Sequence, residues 1–502
     1  MEFGEGGLVV VDGNYNGKAG HGVPSVPTGR GLLDGGGFTK PAWHGLPTGA
    51  IAVGLAGAAT WWAVAAVLFF DYQPRYDAYS YILWARWWVA GDIVELARNS
   101  PGTLIRPYLY HASLAAIWFS LPEVLISEHK RLAISAVQVV AFVAVVFRLA
   151  RAVTPLDRSL PLSVVVGLLC APFAVLTNGE VLSESVSLSI AGMAVAFACP
   201  TGNSLVARYG NVVGVLGSLA LLAMARTAHL PVTLGAAGAI LFVLALHARA
   251  RRREAAIAAC LACVGVVGWV IATAPQSALL WLHHRLEPSD PDLWGVGSGQ
   301  LLWSQQMGKY ATVIADCPGV PVAGVAYPLL VADAATATGT VAWYLTSPHV
   351  ALWHLFQALN WDFPTTYIST FNPLVTVPLN AVSLGAAVVG FMTLVRVAPS
   401  ACARLAREAP VLGIVLSAIA GLWLQTAVTA VETRFGIIPW SALSVAATWG
   451  AMQWLERARS GAIDLRPVAF ASLATGTLLL VSRMTVASVP AFQQLEAAGC
   501  WR

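Results

Sequence analysis

Charge is the first thing this sequence lacks. Of its 502 residues only 11% are Asp, Glu, Lys or Arg, against 57% hydrophobic, whereas soluble chains carry about 25% charged residues. That is too little polar surface to wet a water-soluble protein of this size. A single large soluble core is excluded for a second reason: it needs helices with a charged outer face, and the apolar segments here have none. Basic runs with interleaved aromatics are also missing, which excludes nucleic acid as a partner. Cysteine is scarce, seven in all, and builds no disulfide framework. Cys260 and Cys263 make a C-x-x-C, but inside A-C-L-A-C-V-G, without a His or carboxylate beside it, so they read as small packing residues. Cys317 and Cys500 fall outside the apolar segments and are free to pair in an oxidising compartment.

What the chain does have is length in apolar runs. Stretches of around 20 residues recur almost throughout, and at 1.5 Å per residue each spans a hydrocarbon core of ~30 Å. Mean hydropathy is +0.69. The expected fold class is therefore all-α, a polytopic transmembrane bundle of about eleven spans, with in-plane helices on its outer face. Residues 1–48 are a different material, rich in glycine and without the charged and apolar regions of a signal peptide; they read as a disordered cytoplasmic tail. The first span, 49–70, then reads as an uncleaved signal anchor. Further spans are expected at 131–150, 160–177, 184–199, 210–226, 229–247, 255–273, 374–396, 410–429, 435–454 and 467–486. Segment 107–121 is short and Pro-flanked, as interfacial or re-entrant segments are.

Positive charge fixes the direction of travel. With the N-terminus inside and 107–121 not crossing, Arg148, Arg151, Arg158, Arg208, the run Arg249, Arg251, Arg252 and Arg253, then Arg396, Arg404, Arg407, Arg457, Arg459 and Arg466 all fall on the cytoplasmic side. Letting 107–121 cross sends the 249–253 run outside. The organisation that follows is a transmembrane module over 49–273 with a first outer loop at 71–130, a second outer connection at 274–373, and C-terminal spans over 374–502. Trp and Tyr scattered through 274–373 suit the headgroup level, and 336–360 reads as a helix lying on the outer surface.

The remaining polar residues then gather on the outer side. Asp71 stands at the outer end of the first span. Asp77 opens a helix on which Tyr81, Trp84, Ala85 and Trp88 recur at helical spacing, one aromatic face expected toward lipid. Asp77 at that position is either an N-cap or a working carboxylate. Arg106 precedes a proline that opens the next apolar helix and includes Tyr110; it is either a phosphate contact or a snorkelling arginine. Three outer turns carry further charge: Glu180 and Glu184, Arg226 with His229, and Glu432 with Arg434. Charges so near hydrocarbon must pair or face a cavity. Asp71, Asp77 and Asp92 together offer a possible place for a divalent cation, though their spacing does not require one.

Taken in order, these elements resemble the GT-C superfamily of membrane glycosyltransferases, in particular the protein-mannosyltransferase-like group that uses polyprenyl-phosphate sugars. Asp77, Tyr81, Ala85 and Gly91-Asp92 stand for its acidic first loop. R-P-Y-L-Y, Arg106 to Tyr110, stands for its R-P-x-x-Y-P element without the second proline. T-N-G-E-V-L-S-E-S, Thr177 to Ser185, resembles its S-x-x-x-x-S-E turn, Met224 to Pro231 its L-x-R-x-x-x-x-x-P element, and Glu432 to Pro439 its E-x-R-[FY]-x-x-P. The resemblance implies an enzyme of the cell envelope, in the plasma membrane with its active site outside. It would move a sugar from a polyprenyl-phosphate donor to a glycan, lipid or protein hydroxyl with inversion, Asp77 as general base and Asp71 in reserve. Arg106, Tyr81, Tyr110, Glu184, Arg226, Glu432 and Arg434 would bind donor phosphate or substrate. A lipid-linked glycan polymerase or ligase, to which His349 and His354 would belong, a lipid or sugar transporter, and a non-enzymatic scaffold are the alternatives.

Overall fold

The computed structural model describes, of the unit Gly45–Arg502, residues 46, 48–69, 77–98, 108–122, 127–179, 183–199, 205–226, 229–248, 260, 274, 277–279, 281–287, 373–428, 436–461 and 465–486. The unit Met1–His44, and with it nearly all of the expected 1–48 tail, lies outside the described residues. So do Asp71, Arg106, Glu180, Glu432, Arg434, His349, His354 and the expected surface helix at 336–360.

The described residues form helices and short connections, with no strand among them. In chain order they are α1 (Thr48–Phe69), α2 (Asp77–Ala90), α3 (Ile93–Arg98), α4 (Tyr108–Ser120), α5 (Ser127–Val153), α6 (Leu160–Val165), α7 (Pro172–Asn178), α8 (Ser183–Ala198), α9 (Leu205–Ala225), α10 (Leu230–Ala248), α11 (Pro373–Glu408), α12 (Pro410–Val428), α13 (Ile437–Arg459) and α14 (Arg466–Val486). Three stretches are long and apolar enough to cross a membrane: Thr48–Val67, His129–Val153 and Ala381–Leu405. Six shorter apolar stretches accompany them, on α6 with the turn after it and on α8, α9, α10, α12 and α14. Large apolar side chains stand exposed on these helices, among them Val140 on α5, Phe242 on α10 and Leu473 on α14. Such a surface suits hydrocarbon, not water.

Two departures from the expected spans stand out, the first with a local cause. The stretch 160–177 is not one helix. Between α6 and α7 the chain makes a π-helical turn, Val166–Cys170, and Ala171 is extended (φ −76°, ψ 132°), as the residue before a proline prefers. Pro172 has no N–H to give the preceding turn. With the helix broken at Ala171, the Cys170 carbonyl has no partner in its own helix and accepts from Trp61 Nε1 of α1 at 2.8 Å. Glycine lets the neighbours come in: a Cβ on Gly167 would lie 2.8 Å from Val445 Cα and 2.9 Å from Ser444 O of α13, the close backbone approach that small residues permit between membrane helices. The second departure is α11, which runs to Glu408 instead of stopping near 396.

Two apolar clusters form. The larger joins α1, α5 to α10 and α11 to α13. The smaller holds α2, α3 and α4 together through Tyr81, Trp84, Leu96, Tyr110, Leu114 and Trp118, with Ile134 of α5 and Leu279. The face of α2 expected to meet lipid is therefore turned inward. Tyr81, Trp84 and Ala85 are buried, and Trp88 is half-buried. Helical spacing identified one aromatic face correctly, but aromatic rings serve a protein interior as well as a headgroup layer, and spacing does not separate the two. Residue 283 adds a strut: His283 is buried with Nδ1 3.1 Å from the Ala97 carbonyl of α3.

Candidate functional site

The site is built on α8. Ser183 and Glu184 open that helix, where free N–H groups and the helix dipole favour a carboxylate. Arg226 follows the last residue of α9, where the dipole favours a cation; its N–H reaches Leu222 O at 3.3 Å. Glu184 and Arg226 meet as a buried, hydrogen-bonded ion pair, Arg226 donating from Nη1 to Glu184 Oε1. The other carboxylate oxygen takes a hydrogen bond from Ser183 Oγ at 3.1 Å, and Ser183 Oγ takes one from the Tyr81 hydroxyl at 2.8 Å. Every donor in this chain points toward the carboxylate, so each bond polarises the next.

Tyr110 completes the cluster. Its ring meets Tyr81 edge to face, with centroids 4.7 Å apart. Its hydroxyl donates to Gln138 Oε1 at 3.0 Å, and Gln138 Nε2 donates to Asn178 O at 3.0 Å, one of the carbonyls left over at the end of α7. Tyr81, Tyr110, Glu184 and Arg226, from four separate segments, are thus brought into one connected buried network. Asp77 is the first residue of α2, one turn before Tyr81 and in register with it. Asp71, Arg106, Glu432 and Arg434 fall outside the described residues. Asp92 plays a structural part, its Oδ1 accepting from Glu95 N at 3.2 Å to cap α3. Among the described residues, no three His, Cys, Asp or Glu side chains gather to hold a metal ion.

Two histidines flank the network. His229, in the turn between α9 and α10, is buried, with Nδ1 3.4 Å from Leu222 O. A carbonyl only accepts, so Nδ1 carries the proton. Burial pushes the His229 pKa down to about 3, and the neighbouring Arg226 charge adds to the effect. His111 on α4 is also buried, which likewise lowers its pKa to about 3. Sequence reasoning passed over Gln138, Asn178 and His111 as participants. The signal for Gln138 was present: a lone amide in the apolar run A-I-S-A-V-Q-V-V-A-F, which in a membrane helix needs a partner.

Opposite this network on α8 lies a second charge. Arg148, near the end of α5, rests 4.7 Å from the centroid of Phe197. Glu184 and Phe197 are thirteen residues apart, ~20 Å along the axis. The turn after α5 closes nearby: Trp449 Nε1 donates to Ser159 Oγ at 2.9 Å, and Asp157 Oδ1 accepts from Ser159 N at 2.7 Å. Between the ends, small apolar side chains line a narrow crevice bordered by Ala191, Ala194, Leu222, Val232, Thr233 and Ala418, from α8, α9, α10 and α12. Thr233 ties this crevice to the network, its Oγ1 donating to His229 O at 2.9 Å. No protein-family model matches the chain, and neither a curated protein nor a solved structure is similar to it.

Proposed function

We propose that the chain is a multi-pass membrane glycosyltransferase of GT-C type that uses a polyprenyl-phosphate sugar, with its chemistry at the outer end of the bundle. One observation carries the reading: residues drawn from four of the five motifs of the resemblance converge, with Tyr81, Tyr110, Glu184 and Arg226 in one buried network and Asp77 one turn above Tyr81. Residues spaced over roughly 150 positions have no need to meet if each only caps its own helix or snorkels from it.

In this reading Asp77 accepts the proton of an acceptor hydroxyl as its oxygen bonds to the anomeric carbon. The bond from that carbon to the phosphate oxygen breaks on the opposite face, its electrons staying with the polyprenyl phosphate, and configuration inverts. The proton leaves Asp77 to water. Arg106 and Arg434 supply positive charge for the leaving phosphate. Arg226 is already neutralised by Glu184, so it belongs to the frame that fixes Tyr81 and the start of α8.

The deciding experiment is Asp77→Asn, assayed with a radiolabelled polyprenyl-phosphate sugar. Removing a general base should lower turnover by about 10²–10⁴-fold with the fold intact. Wild-type turnover in that variant moves the role to Asp71 or discards the enzyme. A reporter fused after Arg253 checks the orientation, for which a cytoplasmic signal is required.

A further inference from the structure

His111 packs against Trp84 and Trp88 of the smaller cluster with a polar atom that the network above does not use. It is fully buried. Trp88 Nε1 lies 2.7 Å from its Nδ1. An indole nitrogen donates only, so Nδ1 must be the accepting nitrogen and the imidazole proton must reside on Nε2. That N–H is buried and finds no hydrogen-bond partner among the described residues. The ring is held from two sides, Trp84 meeting it edge to face with centroids 5.5 Å apart and Trp88 stacked at 6.1 Å. It is thus a rigid, oriented donor. A buried donor left unpaired costs about 1–3 kcal/mol, and buried groups of this kind commonly have a role that explains them.

We infer that the Nε2–H of His111 is a recognition group for a neutral oxygen, a hydroxyl or ring oxygen of the sugar carried by the lipid donor, with Trp84 and Trp88 fixing its direction. Three features select that chemistry. The fixed tautomer leaves a neutral donor at this end of the ring, suited to an uncharged acceptor. Aromatic surface with a single oriented polar group is how small-molecule sites set orientation. The location fits as well: Tyr110, the adjacent residue, touches Tyr81, and α4 packs against both α2 and α9, the elements that carry Asp77 and lead into Arg226. Phosphate recognition then falls to the arginines and sugar recognition to the histidine.

This inference rests on the glycosyltransferase reading, and the test separates the two. Purified full-length protein is titrated with a panel of polyprenyl-phosphate pentoses and hexoses and with bare polyprenyl phosphate, and each Kd is taken from the rise in Tm. Wild type should bind at least one sugar-bearing lipid roughly tenfold more tightly than the bare lipid. His111→Phe should erase that difference and leave binding of the bare lipid unchanged. His111→Gln, which keeps an N–H donor and an acceptor for Trp88, should retain most of it. As a readout that does not depend on a variant's folding, the Nε2–H resonance of His111 in ¹⁵N-histidine-labelled wild type should move with the sugar-bearing lipid and stay put with the bare one. Equal binding of all lipids by wild type, an undiminished preference in His111→Phe, or a resonance that ignores the sugar each overturns the inference while leaving the enzyme standing. Failure of every lipid to bind overturns both.

Discussion

The two ends of α8 hold arginines in opposite circumstances. At one end Arg226 is buried against Glu184, whose second oxygen is tied through Ser183 to Tyr81. At the other Arg148 is exposed and lies over the face of Phe197. The exposed arginine is cheap to keep and contributes little: a cation over a ring at an open site gives about 0.5–1 kcal/mol. The buried one is costly to desolvate, several kcal/mol per ion, and the ion pair offsets that only through its geometry and the extra hydrogen bonds. A chain that needed only stability would fill the Glu184–Arg226 position with apolar side chains. What the charged pair does there is fix the start of α8 against the end of α9.

That contrast can be broken most severely by removing one partner. Arg226→Met should cost about 3–5 kcal/mol, because Glu184 is left buried and uncompensated; the thermal midpoint of purified protein, or the yield of folded protein, reads it. Pairing it with Glu184→Leu should return most of the stability, and a double variant no more stable than Arg226→Met would break the comparison.

Acid should separate the ends next. His111 and His229 are neutral in the fold and titrate near 3, against about 6.5 when unfolded. Between those values the unfolded chain binds more protons, so stability falls as pH drops below 6.5, by up to about 1.4 kcal/mol per unit for each group. Above 6.5 neither contributes a slope. Denaturation followed from pH 7 to pH 4.5 should show this loss, and His229→Gln should flatten part of it. Smaller again is Trp61→Phe, which strands the Cys170 carbonyl at the broken helix and should cost about 1–3 kcal/mol. Least of all, Arg148→Ala should lower stability by no more than about 1 kcal/mol.

Much of this was legible beforehand, and for identifiable reasons. Apolar run length gave the helices because hydrocarbon thickness and helical rise are fixed lengths; the starts and ends of α8, α10, α12 and α14 fall next to the expected residues. Gln138 and His111 were not recognised, since a polar residue in an apolar run announces that it needs a partner without saying which. The aromatic face of α2 was found and assigned to the wrong surroundings, because period reports a stripe and not what covers it. The break at 166–172 was missed although Pro172 stood in view, since prolines in membrane helices are tolerated wherever neighbours satisfy the backbone groups left over, and here the Cys170 carbonyl at the break is met by Trp61, over a hundred residues away.

By itself, then, the sequence determined that the chain is helical, that it contains segments able to cross a membrane, and that Glu184 and Arg226 stand at helix ends. Each of these follows from local length and solvation. Tertiary structure alone decided which of those groups meet: that Tyr81 reaches Ser183, that Glu184 takes Arg226 as its partner, and that His111 is held by Trp88 with its other nitrogen left to donate. Those contacts depend on how α2, α4, α8 and α9 pack side by side, a matter of shape and small-residue clearance between elements distant in the chain, which no local pattern encodes.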